Sequence, residues 1–152
     1  MTTIDLDLYK PQMTIVCGIS GSGKSTISKE VNADVVCSAD DFFMDGDDYN
    51  FDPTKLPKAH GECLKNCVNA MAGEFDICID NTNTTVAEIA PYAALALAYG
   101  YALDIVIVEC DVNKAHARNT HDVPLVVIEG QADRLKSLSL PPWWPVRRVT
   151  SG

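Results

Sequence analysis

Basic residues are scarce in this sequence: 12 Lys and Arg stand against 21 Asp and Glu, a formal net charge of −9. A protein that grips a long stretch of nucleic acid carries a basic surface to offset phosphate repulsion, so any polynucleotide here is expected to be held near its end only. Long apolar runs are missing too; none approaches the ~18 residues that span a bilayer, which excludes a membrane-crossing role. Met1 to Lys10 lacks a basic start followed by an apolar block and does not read as a secretory signal, so the cytoplasm is the expected compartment. Internal repeats and low-complexity segments are also absent. Among the six cysteines, Cys63 and Cys67 have helical metal-pair spacing but lack a second Cys/His pair at zinc-site distance. Cys17, Cys37, Cys78 and Cys110 sit within or at the end of apolar runs, where free buried thiols are the simpler reading.

What is present is an ordinary globular composition, 47% hydrophobic and 22% charged, in 152 residues. That length suits one domain over 1–152, with a core at about 13–137 and a Pro/Trp-containing tail at 138–152. Short β-branched runs alternate with longer helical patterns, which predicts an α/β fold of three layers, a parallel sheet of about four strands flanked by helices. The strands are expected at Met13–Cys17, Asp34–Ser38, Phe75–Ile79 and Tyr101–Cys110. Helices are expected at about Lys24–Val31, Pro57–Ala72, from Thr84 or Thr85 to Gly100, Asn113–Asn119 and Pro124–Ser137. Asp45 to Pro57, with Asp-Gly-Asp-Asp and two prolines, reads as a surface loop.

The strongest motif is Gly18-Ile19-Ser20-Gly21-Ser22-Gly23-Lys24-Ser25, a G-x-x-x-x-G-K-[ST] loop between a strand and a helix. Backbone N–H groups of such a loop, and the helix N-terminus behind it, surround phosphate oxygens. Gly18, Gly21 and Gly23 permit the tight turn, and Lys24 reaches the β and γ phosphates. Ser25 offers its hydroxyl to Mg²⁺, with Thr26 close behind.

In an open parallel sheet the ligand lies beyond the carboxyl ends of the strands. There the second strand ends in Asp40-Asp41 and the third in Asp80-Asn81-Thr82-Asn83. Asp40 is the expected general base for an attacking hydroxyl; the alternative is a solvated acidic loop. Asp41 stands beside the substrate, or caps a turn, or assists the metal. Asp80 takes the position of a Mg²⁺-associated aspartate. Thr82 and Asn83 offer neutral groups to substrate, against the alternative of an Asn/Thr-rich turn. Charge on the transferring phosphoryl group calls for a cation, and Arg118, in a lid segment with His121, is the candidate; a solvated helix face is the other reading.

The motifs G-I-S-G-S-G-K-S-T, S-A-D-D-F-F, I-D-N-T-N and A-R-N-T-H, in this order, resemble the polynucleotide-kinase-like group of P-loop kinases over about Met13 to Lys136. That group includes 5′-hydroxyl kinases and the ATP-binding domains of ubiquitin-ligase-binding proteins, and the Asp40 and Tyr49 segments look closer to the latter. The resemblance implies ATP as donor, Asp40 as base, Lys24 and Ser25 on the nucleotide, and Arg118 as the lid arginine. The sequence departs from the 5′-hydroxyl kinases at Phe43, where they carry a phosphate-holding arginine, and at His121-Asp122, where they tend to carry a second lid arginine. Phe43 either stacks on a base or packs in the core.

The first expected function is an ATP-dependent kinase acting on a 5′-OH, or a modified-base hydroxyl, of DNA or RNA. A nucleoside or other small-molecule kinase is the second. The third is an ATP-binding, slowly hydrolysing interaction module that uses Pro141-Pro142-Trp143-Trp144, unless that tail folds back onto the domain.

Overall fold

β-branched residues in a run that is apolar at nearly every position belong in a strand covered on both faces. Strand β1, Gln12–Cys17, has this character and is buried at all but its first residue. The computed structural model describes residues 10–150. In chain order the further strands are β2 (Val35–Cys37), β3 (Met44–Asp45), β4 (Asp48–Tyr49), β5 (Ile77–Asp80), β6 (Ala102–Glu109) and β7 (Val146–Thr150). Five of them form one sheet, ordered β2-β5-β1-β6-β7, and every pairing in it is parallel.

The helices are α1 (Lys24–Val31), α2 (Leu56–Ala72), α3 (Val86–Ala98), α4 (Val112–Arg118) and α5 (Leu125–Lys136). Successive strand residues point to opposite faces of a sheet. Met13, Ile15, Ile77, Ile79, Ile105 and Ile107 accordingly join the larger core with residues of α2, α3 and α5. Val16, Cys78 and Val108 join a smaller one on the other face, against Ile27 and Val31 of α1. Five cysteines are buried and Cys110 is half-buried; all six are free thiols. Among the described residues no helix is long and apolar enough to cross a membrane.

Two segments differ from the sequence expectation. Residues of the expected tail form β7, which pairs along β6 from Ile105 with Val146 to Glu109 with Thr150, so the sheet has five strands. This edge strand is exposed at four of its five positions and therefore lacks the apolar pattern by which strands are recognised. Ion pairs Arg147–Asp104 and Arg148–Glu109, each 3.2 Å, run across the exposed edge. Upstream of it, Trp144 packs against the larger core, whereas Trp143 stays exposed. The second segment is the expected surface loop, whose first part is the hairpin β3–β4. Gly46 supplies φ 63° in its tight connection.

Candidate active site

The glycine loop follows β1, and its backbone is tied down before its side chains matter. Gly18 N–H donates to the Thr82 carbonyl at 2.9 Å. Ser20 N–H donates to Gln131 Oε1 of α5, also at 2.9 Å. Gly21 has φ 81°, and a Cβ there would lie 2.0 Å from the Ala115 carbonyl oxygen, so α4 approaches more closely than any side chain allows. A Cβ on Gly18 would meet Ser22 Oγ at 2.6 Å.

The residues present fit a bound polyphosphate. Ser22 Oγ is buried with no hydrogen-bond partner, and a hydroxyl left so is costly unless a ligand completes it. No side chain caps the N-terminus of α1, which leaves that end of the helix open to an anion. Lys24 Nζ donates to the Ile19 carbonyl at 2.9 Å, which keeps the ammonium folded over the loop. Burial pushes its pKa down, while Asp80 and Asp40 pull it up.

Lys24, Asp80, Asp40 and Asp41 are electrostatic neighbours. Asp80 ends β5 half-buried; burial pushes its carboxyl up, Lys24 and a hydrogen bond from Ser28 hold it down, and Asp40 raises it again. Asp41 is raised first by burial, then by Asp40 and Asp80. Asp40 is exposed. It lies in the first turn of the short 3-10 helix Ala39–Phe43, whose N-cap Ser38 accepts from Asp40 N–H. Its Oδ1 accepts from Tyr49 at 3.0 Å, and His121 Nδ1 is 3.7 Å from Oδ2. His121 in turn stacks on the Tyr49 ring, 3.9 Å between centroids. Ser25 and Thr26 are exposed on the first turn of α1.

Several expected residues prove to build the frame of the site. Phe43 is 5% exposed and packs edge-on against Phe42, Tyr49 and Phe51. It has no face left for a base, which corrects the stacking expectation in favour of core packing. Asn83 is buried at φ 46°, and its amide donates to the Val16 carbonyl at 2.9 Å, so it holds β1. Thr82 is half-buried and contributes the carbonyl that fixes Gly18.

Arg118 ends α4 and donates to Cys110 Sγ at 3.1 Å. It also lines a cleft of about 520 Å³ with Gly23, Thr26, Ile27, Arg147 and Thr150. The cleft adjoins the first turn of α1 and has the volume of a small-molecule site. Its β7 side was invisible in a sequence read with a tail at that position. Gln131 and Tyr49 were also missed, since their roles depend on contacts 111 and 9 residues away along the chain.

The strand order with a phosphate loop after the central strand is that of the P-loop kinases. The chain belongs to the AAA domain family, whose profile matches residues 13–137. It is 33% identical to human NEDD4-binding protein 2 over 94 residues, 59% of this chain and 5% of that protein. Its fold matches a chain of the Pnkp1/Rnl/Hen1 RNA repair complex with TM-score 0.67 and 18% identity, covering 90% of this chain and 47% of that one. It also matches a gluconokinase from Sinorhizobium meliloti 1021 with TM-score 0.61 and 16% identity, over 92% and 82% of the two chains.

Proposed function

We propose that the chain is an ATP-dependent kinase that transfers the γ-phosphoryl group to a hydroxyl, the 5′-OH of DNA or RNA being the first acceptor to test. The observation that carries this reading is the glycine loop with Lys24 folded over it by its bond to the Ile19 carbonyl, the ammonium feeling the charges of both Asp80 and Asp40. It supports reading the Lys24 ammonium and the exposed Asp40 carboxylate as members of one site.

In the proposed reaction Asp40 accepts the proton of the acceptor hydroxyl as its oxygen bonds to the γ phosphorus. The bond from that phosphorus to the β–γ bridging oxygen breaks, and ADP leaves. Lys24 balances negative charge on the β and γ phosphates, and Arg118 approaches from the lid side. Ser25 and Asp80 would hold Mg²⁺, whose chemistry is to neutralise charge between the β and γ oxygens. The cleft beside Thr26 and Arg118 would take the nucleoside of ATP.

A nucleoside or other small-molecule acceptor is the second reading. The observation in its favour is the acidic rim near Asp40, with Asp41, Asp45, Asp47 and Asp48 all exposed, while buried Phe43 offers no cation for a substrate phosphate. Incubation with γ-labelled ATP and a panel of 5′-OH DNA, 5′-OH RNA and nucleosides separates the two. Label on an oligonucleotide supports the first, label on monomers alone the second, and label on neither contradicts both. With an accepted substrate, Asp40→Asn should lower kcat by about 10²–10⁴-fold. Undiminished transfer would remove Asp40 as the base.

A further inference from the structure

Tyr49 lies nine residues beyond Asp40, yet its phenol donates to Asp40 Oδ1 at 3.0 Å. The hairpin brings it there. β3 pairs with β4 through Met44 and Tyr49, and Asn50 N–H donates to the carbonyl of buried Phe43 at 2.9 Å. The Tyr49 ring is held on two sides, edge-on to Phe43 with centroids 6.2 Å apart and stacked on His121 at 3.9 Å and 12°. A ring so confined keeps its hydroxyl aimed at one carboxylate oxygen. The other oxygen, Oδ2, faces His121 Nδ1 at 3.7 Å, beyond direct hydrogen-bond length. Burial, then the charge and hydrogen bond of Asp40, push the Tyr49 phenol well above its ordinary pKa, so it remains a donor.

We propose that Tyr49 is a positioning residue for phosphoryl transfer: it fixes the Asp40 carboxylate through Oδ1 so that Oδ2 meets the acceptor hydroxyl, with His121 bracing the Tyr49 ring. The inference rests on Asp40 being the base. Its physical content is orientation, since a carboxylate on an exposed turn samples several rotamers, and misplacing a reacting group by about 1 Å costs as much as 10²-fold in rate.

Tyr49→Phe keeps the ring, the stack and the packing, and removes the donor alone. With γ-labelled ATP, and a 5′-OH oligonucleotide and adenosine as probe acceptors, its kcat should fall about 10- to 100-fold. The KM values for ATP and acceptor should change by no more than about two-fold, as for an interaction that matters only in the transition state. In the Asp40→Asn background the same substitution should have no further effect, because Tyr49 acts through Asp40. Equal losses in both backgrounds, or wild-type kcat in Tyr49→Phe while Asp40→Asn is impaired, overturn the role of Tyr49 alone. Wild-type transfer by Asp40→Asn overturns the base assignment and this inference with it. Urea unfolding of the same four proteins reads the pair without any acceptor: non-additive stability changes are expected, and strict additivity overturns the proposal.

Discussion

The backbone N–H of Ala39 donates to Asn81 Oδ1 at 2.8 Å, which ties the residue before Asp40 to the residue after Asp80. The buried Asn81 amide also donates to Cys63 Sγ of α2 at 3.5 Å. One side chain therefore sets the spacing of the two acidic strand ends. Asn81→Ala should destabilise the fold by about 1–3 kcal/mol, the cost of leaving a buried N–H unpaired. Transfer activity should drop at temperatures where the variant is still folded. Urea unfolding and kcat measured together check this, and loss of stability without loss of rate would confine Asn81 to packing.

Gly21 sits against the α4 backbone, and alanine there would bring its Cβ to 2.0 Å from the Ala115 oxygen at φ 81°. Left-handed strain alone costs about 1–3 kcal/mol, and the clash adds to it because neither partner is a flexible side-chain end. Gly21→Ala is expected to lower the Tm and to abolish nucleotide binding. Calorimetric titration with ATP, together with a melting curve, measures both.

Ser22 gives the opposite sign. Its Oγ is buried without a partner, so Ser22→Ala should raise the stability of the nucleotide-free protein by up to about 1 kcal/mol. The same variant should gain less stability on adding ATP than the wild type does, provided the hydroxyl is completed by a phosphate. Melting curves with and without ATP test this, and equal gains in both proteins would count against it.

Gln131 reaches from α5 to the Ser20 N–H at 2.9 Å. Gln131→Leu removes the acceptor while keeping bulk, and should weaken ATP binding by about 10-fold, the equivalent of one buried hydrogen bond. Thr84, on the same side, accepts from Arg134 Nε at 3.1 Å. Arg134→Met should leave ATP affinity closer to wild type, since that contact lies off the loop.

The thiols give a reactivity prediction. Burial pushes Cys17, Cys37 and Cys67 up to about 12 and Cys78 up to about 11, and Cys63 is 1% exposed. A thiol needs its thiolate to react, so these five should be inert to a disulfide reagent at pH 8 until the protein unfolds. Half-buried Cys110 should react first, and counting thiols released with and without denaturant checks the ratio.

Local, residue-specific features were legible in the sequence, and features made by folding were not. The loop Gly18–Ser25 and the start of α1 at Lys24 follow from fixed residue types at fixed spacing, and Thr85 caps α3 by accepting from the Glu88 N–H, one of the two caps expected. Strand β7 escaped because an exposed edge carrying Arg147 and Arg148 has no buried face to advertise. Asn83 and Phe43 carry side chains suited to recognition, and only their burial reveals that they hold the frame. Tyr49 escaped for a related reason: its meaning lies in the fold-back of a two-residue hairpin connection toward Asp40.

The central claim is that the glycine loop delivers ATP for phosphoryl transfer, and Lys24 is its most direct probe. The measurement is single-turnover transfer of label from γ-labelled ATP to the acceptor by the wild type and by Lys24→Ala. The account predicts rapid labelling by the wild type and a loss of at least about 10²-fold in the variant, since the ammonium stabilises charge that grows in the transition state. Transfer by Lys24→Ala at the wild-type rate would contradict it.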